Sequence, residues 1–293
     1  MATIAKTRQP PANLRAAAGS RAEEIFDPDV GRARGVLMPP PAEGRMQHTR
    51  RRPPADLTGW IEHFWSVSWD LRGCNPFLQQ TLPHPNVHVV FEASHSGIAG
   101  VTTKRFSRTL EGESRVFGIK FRPGGFHPFL GKPVATLNDR VIPIDTVFGS
   151  EGAKWESAML SLREEQTQIE TASAFLRARL PEADENVALA TRLVALILDD
   201  RTIRSVGDLT RRTKMGTRSL QRLFRDYVGA SPKWVIRRYR LHELVERLKA
   251  GEALDGAQMA LDLGYSDQAH LINDFRSIVG YSPSRYRSLL RNA

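Results

Sequence analysis

Cysteine is nearly absent: Cys74 stands alone among 293 residues. No internal disulfide can form and no Cys-rich zinc site can be built. A lone buried thiol acts as a small apolar side chain. Also missing is any apolar run near the ~18 residues that a membrane span needs. The N-terminus lacks an apolar stretch with a small-residue cleavage site after it. The expectation is a cytoplasmic protein with no membrane partner. Catalytic fingerprints are missing too, with no P-loop, no G-x-S-x-G and no dinucleotide motif. Glu62, Asp70 and Glu92 are scattered carboxylates with no visible acid/base pairing. Neither an enzyme nor a cofactor is expected.

Acidic residues are in deficit, 32 Asp and Glu against 42 Lys and Arg, for a net charge of +10. Such a balance points to a polyanion, usually nucleic acid. Its distribution is uneven. Residues 1–52 hold ten basic against five acidic side chains, residues 53–182 thirteen against fourteen, and residues 183–293 nineteen against thirteen. The length suggests two domains.

Residues 1–52 show no periodicity and contain Pro39, Pro40 and Pro41 in a row. Such a segment buries too little apolar surface to offset its ordering entropy. The expectation is a disordered basic tail, with Arg50, Arg51 and Arg52 solvated or touching DNA. Residues 53–150 alternate β-prone runs (60–69, 86–92, 116–121) with Gly/Pro punctuation, and Arg122-Pro123-Gly124-Gly125 is a strong turn. That predicts a β-rich barrel or sandwich. Residues 151–182 read as helical, a linker and possible dimer interface. Residues 186–199 open an all-α domain over 183–293 with a strongly apolar helix. The fold class expected is α+β and multidomain.

The informative feature is a repeat. Residues 206–235 and 257–286 align at an offset of 51, with Leu220, Phe224, Arg225, Val228, Gly229, Ser231 and Pro232 matching Leu271, Phe275, Arg276, Val279, Gly280, Ser282 and Pro283. The apolar matches fall four apart, on one helix face. Each Gly ends a helix and each Ser-Pro starts the next. Both stretches predict a short helix, a tight turn and a second helix, over 205–228 and 255–279. This is the helix-turn-helix arrangement, whose second helix can enter a major groove. Residues 232–249 suit one rigid connecting helix. Residues 203–240 carry eleven basic against two acidic side chains, and Arg218, Gln221, Arg222 and Arg225 share the exposed face. Arg and Gln suit bidentate reading of guanine and adenine.

With Ala260, LGYSDQ over 263–268, Phe275, GYSPS over 280–284 and Tyr286-Arg287, residues 201–291 resemble the DNA-binding domain of AraC/XylS-type regulators. The resemblance implies a transcription regulator, commonly an activator, that binds double-stranded promoter DNA beside the bacterial nucleoid, with RNA polymerase as a neighbour. It also implies base contacts from Arg218, Gln221 and Arg222 and from Ala269, His270 and Asn273, and backbone contacts from Thr217, Arg225, Gln268 and Arg276. The second unit departs from a balanced pair: residues 254–291 hold four Arg against four Asp. Asp267 is placed to cap its helix. The first unit is expected to supply most of the affinity.

Residues 60–148 resemble, more loosely, the β-rich sensor domains of such regulators, through Pro53-Pro54, Phe64-Trp65, Leu82-Pro83, Val89 to Glu92 and Gly118 to Gly125. That implies a cupin-like barrel with a small-molecule effector or a homodimer contact. Trp60, Phe64, Trp65, Trp69 and Phe91 could line the pocket or pack the core. His84 and His88 would sit about 13 Å apart on a strand, too far to share an ion. Together with His63, His95 and His127 they give no metal site in sequence. The alternative is a cupin-like metal-binding or enzymatic domain fused to a DNA-targeting module.

Overall fold

The computed structural model describes residues 23–31, 33–39, 41, 44–252 and 255–291. Among these are nine strands: β1 (Glu23–Phe26), β2 (Arg45–Arg51), β3 (Ile61–Asp70), β4 (Phe77–Thr81), β5 (His88–Phe91), β6 (Gly97–Ala99), β7 (Phe106–Leu110), β8 (Glu113–Phe121) and β9 (Val141–Ile142). Seven form one sheet in the order β1-β2-β3-β8-β5-β6-β9, and β4 with β7 makes a separate ribbon. Only β1 and β2 run parallel. The outer strands β1 and β9 are not hydrogen-bonded to each other, so the β-rich domain is an open sheet rather than a closed barrel.

Alternation along the strands sorts the side chains. Phe64, Phe117, Ile119, Phe121, Val89 and Phe91 face one core. Over it lie α1 (His127–Leu130), α2 (Asp145–Ser161) and α3 (Glu165–Arg177), through Trp155, Met159, Ile169 and Leu176. Trp155 stacks on Phe175 with ring centroids 4.0 Å apart. The predicted helical region is thus two helices, packed into the sheet's own core. On the other face Trp65, Val67, Trp69, Val90 and Val116 meet Phe77 and Leu110 of the ribbon.

The expected disordered tail is corrected where it is described; residues 1–22 lie outside the described residues. From Glu23 the chain makes β1, and Arg45–Arg51 pairs along seven residues with β3. The basic run is tied to other acidic and polar groups rather than left free, although Arg52 stays exposed. Arg50 is buried and its Nε donates to His63 Nε2 at 3.2 Å. Arg51 pairs with Glu165 at 2.9 Å, and Arg52 with Asp29. A buried guanidinium such as that of Arg50 needs such a partner, and His63 of β3 supplies it.

The rest is helical: α4 (Glu185–Asp199), α5 (Val206–Thr213), α6 (Thr217–Leu223, widened into a π turn over Phe224–Val228), α7 (Pro232–Lys249), α8 (Gly256–Asp262), α9 (Gln268–Val279) and α10 (Pro283–Arg291). A β-rich part followed by an all-α part is the fold class expected. In α4 the buried Val187, Ala190, Leu193, Val194 and Ile197 recur three and four apart, which is one helix face. That face packs on Leu209, Leu220, Phe224 and Val235. A further core gathers Leu244, Leu248, Leu271, Phe275 and Tyr286 around Leu37 and Leu82 of the N-terminal part.

Candidate nucleic-acid interface

Local chemistry sets each two-helix unit. Ser205 caps α5 by accepting from Asp208 N at 3.1 Å, and Asp208 Oδ2 accepts from Ser205 N at 2.8 Å, a reciprocal capping box. Lys214 takes a left-handed φ of 60° and turns the chain toward α6. In the second unit Asp255 caps α8, accepting from Ala257 N and Gln258 N at 3.1 Å. Gly264 makes the turn, and Asp267 caps α9 by accepting from His270 N at 2.7 Å. Both second helices end on a left-handed glycine, Gly229 at φ 84° and Gly280 at φ 88°, a conformation that costs other residues 1–2 kcal/mol or so.

The two second helices bury equivalent apolar residues. Leu220 and Phe224 are fully buried, as are Phe275 and, nearly, Leu271. Their other faces are open. Thr217, Arg218, Gln221, Arg222 and Arg225 are all exposed, as are Gln268, Ala269, His270, Asn273 and Arg276. Residues 209–288 match the family described as "Helix-turn-helix domain".

The C-terminal part of the chain thus carries a helix-turn-helix domain. Residues 49–143 match the family described as "Domain of unknown function (DUF6597)". No curated protein matches the chain. Among solved structures, ToxT from Vibrio cholerae O395 is similar at 13% identity and a TM-score of 0.35, over 74% of this chain and 90% of that one. The same protein bound to (E)-4-(8-methylnaphthalen-1-yl)but-3-enoic acid gives 13% and 0.35, over 73% and 90%. Unsaturated fatty acid-bound ToxT from strain SCE256 gives 12% and 0.34, over 74% and 88%.

Within the helix-turn-helix domain the acidic side chains near α9 divide by role. Asp274 is buried, pairs with Arg237 of α7 and accepts from Tyr265 Oη at 2.7 Å. It is a structural anchor that leaves the exposed face free. Asp267 stays exposed at the helix start. In the first unit Arg225 donates to Asp226 at 2.8 Å, which offsets part of its charge. Gln268 folds back over Gly256 of α8. Between the units lies a cleft of about 370 Å³, lined by Arg204, Ser205, Lys233, Arg237, Tyr265 and His270 among others. Arg204, Lys233 and Arg237 belong to the basic stretch over residues 203–240, but their convergence is not visible in sequence because α5 and α6 lie between Arg204 and α7.

The five aromatics proposed for an effector pocket do not converge. Phe64 and Phe91 lie in the core under α2 and α3. Trp65 and Trp69 face the ribbon on the opposite side of the sheet. Trp60 precedes β3 and is half-buried. Adjacent residues on a strand point to opposite faces, so Phe64 and Trp65 cannot share a pocket.

A polar row crosses the ribbon side instead. His63 of β3, Lys120 of β8 and His88 of β5 are cross-strand neighbours. Lys120 Nζ donates to Glu62 Oε1 at 2.9 Å and Asn86 Nδ2 to Glu62 Oε2 at 2.9 Å. Burial pushes the Glu62 carboxyl up, but Lys120 and His63 more than offset this and hold it well below the usual range. Burial, with Lys120 adding to it, lowers His63 to about 4 and His88 to about 3. His88 Nδ1 accepts from Trp65 Nε1 at 3.2 Å. His84 packs against His242 of α7 in a tilted arrangement, centroids 4.5 Å apart. His127 packs on Tyr227 at 3.9 Å, and His95 is exposed. Among the described residues no three His, Cys, Asp or Glu side chains converge on one point.

Proposed function

We propose that the protein recognises promoter DNA with α6 and α9 in successive major-groove segments, ~34 Å apart on one face of the duplex. The observation that carries this is the paired helix face. On both helices the apolar positions are buried and the polar positions between them exposed, with a rigid α7 joining the units. Arg218, Gln221 and Arg222 offer bidentate donors to guanine and adenine. Ala269, His270 and Asn273 read the second segment, where Ala269 brings apolar contact to a thymine methyl. Thr217, Arg225, Gln268 and Arg276 hold phosphates.

The units contribute unequally. The first concentrates positive charge, and phosphate neutralisation supplies much of the affinity for DNA. Titration of Arg222→Ala and Asn273→Ala against a duplex selected from random sequence, over a salt range, tests this. Arg222→Ala is expected to cost the more, roughly 1–3 kcal/mol. A larger loss for Asn273→Ala overturns the ranking.

Control enters through the N-terminal domain, by dimerisation or by a small molecule. For the latter, half-buried Trp65, Val67, His88 and Val90 share the sheet face under the ribbon, and mixed apolar and polar linings suit small ligands. Thermal shift against a metabolite library tests it, with Trp65→Ala expected to abolish any shift. The reading carries with it a cytoplasmic site of action beside the nucleoid and RNA polymerase as a neighbour on the promoter.

A further inference from the structure

Five residues between β6 and β7, Val101 to Arg105, touch the whole helix-turn-helix domain in turn. Val101 is fully buried in the core of the first unit. Its Cγ2 stands 3.2 Å from where a Cβ on Gly229 would lie. Thr103 O accepts from Arg238 Nη2 of α7 at 3.0 Å. Arg105 donates to Val279 O, at the last residue of α9, and its guanidinium lies against Gly280. Alternate residues of this strap therefore reach the first unit, the connecting helix and the second unit.

A neighbouring loop fixes the strap. Asp139 accepts from Thr103 N at 2.7 Å and from Thr103 Oγ1 at 2.6 Å, and Asp139 N donates to Val101 O at 3.1 Å. From the same loop Asn138 Nδ2 donates to Gly229 O at 2.6 Å. Gly229 and Gly280 are equivalent positions of the repeat. The N-terminal domain thus holds the C-terminal end of each recognition helix within one residue of the equivalent position. Those ends carry unsatisfied carbonyls and partial negative charge, so an amide and a guanidinium are suitable grips.

We propose that Arg105 and Asn138 are positioning residues that set the distance and angle between the two recognition helices, and so the half-site spacing the protein accepts. This rests on the reading of α6 and α9 as a pair in successive grooves. One added base pair rotates the second half-site by about 35°. A rigidly held pair cannot follow that rotation; a loosened pair can.

The test uses the full chain, a duplex it selects from random sequence, and derivatives with one or two base pairs inserted or deleted between the half-sites. The unaltered protein is expected to lose about tenfold in affinity for a one-base-pair change. The double variant Arg105→Ala/Asn138→Ala is expected to lose less than about threefold, with unchanged affinity for a duplex carrying the first half-site alone. Arg105→Lys, which keeps a cationic donor, restores most of the spacing penalty. An undiminished penalty in the double variant overturns the proposal while leaving two-groove recognition intact. Loss of half-site binding along with the penalty also overturns it, since the contacts would then merely support folding. Selection of no specific duplex, or no spacing preference in the unaltered protein, overturns two-groove recognition and this proposal together.

Discussion

His88 is a neutral acceptor for the Trp65 indole and lies beside Lys120. Burial drives it to about 3, His242 to about 3 and His63 to about 4. In the unfolded chain all three titrate near the ordinary histidine value of about 6.5. Above that value both states are neutral there and the stabilisation is complete. As pH falls from about 6.5 toward 4 the unfolded state takes up protons that the folded state refuses, so stability is lost. Glu62, Arg50 and Lys120 surround the row; the depressed Glu62 carboxyl loses its contribution only at lower pH. Urea melts at pH 7 and pH 5 should show a clear fall in stability. His88→Gln, which keeps an acceptor for Trp65, should reduce the slope by one proton, about 1.4 kcal/mol per pH unit. An unchanged slope would remove His88 from this account.

Asp267 shows the same logic at a helix start. It caps α9 and also places a negative charge beside the exposed side chains proposed to meet DNA. Asp267→Ser should keep the cap and raise DNA affinity at low salt. Asp267→Ala should cost about 1 kcal/mol of stability. Thermal melting and anisotropy titration separate the two effects.

At the scale of elements, legibility followed how local the signals were. Caps, left-handed glycines and apolar residues four apart lie within a few residues of one another, and α7 occupies the whole predicted span, Pro232–Lys249. The β part was legible as β-rich and no further. Strand β2 was missed because its buried residues include Thr49 and Arg50, polar side chains made compatible with burial by His63 and Glu165. The aromatic pocket failed because strand faces depend on register. A shift between Ile61 and His63 where β3 meets β8 lets Ile61 and Phe64 share the core face and sends Trp65 to the other side. Nothing in the aromatic run itself reports that shift. The contacts of Arg105 and Asn138 were equally hidden, being made to residues 174 and 91 positions away.

For the whole molecule, the N-terminal and helix-turn-helix parts share cores rather than a surface. Val101 belongs to the core of the first unit, and Leu37 with Leu82 to that of the second. Thr191 Oγ1 also donates to Pro123 O at 2.9 Å. The two parts should therefore unfold together, in one calorimetric transition. Leu37→Ala should lower stability by about 2–5 kcal/mol and split that transition. A split already present in the unaltered chain would show the parts to be energetically separate.

Leu37 has one more consequence. Its carbonyl accepts from Tyr286 Oη, 249 residues further along. A chain made from its N-terminus leaves this early segment waiting through the synthesis of 249 further residues for its partner in α10. The second helix-turn-helix unit can close its core only once α10 has left the ribosome to meet Leu37. A chain still on the ribosome thus holds that core open until α10 appears. Shortening the C-terminus by the length of α10 would leave it in that state after release.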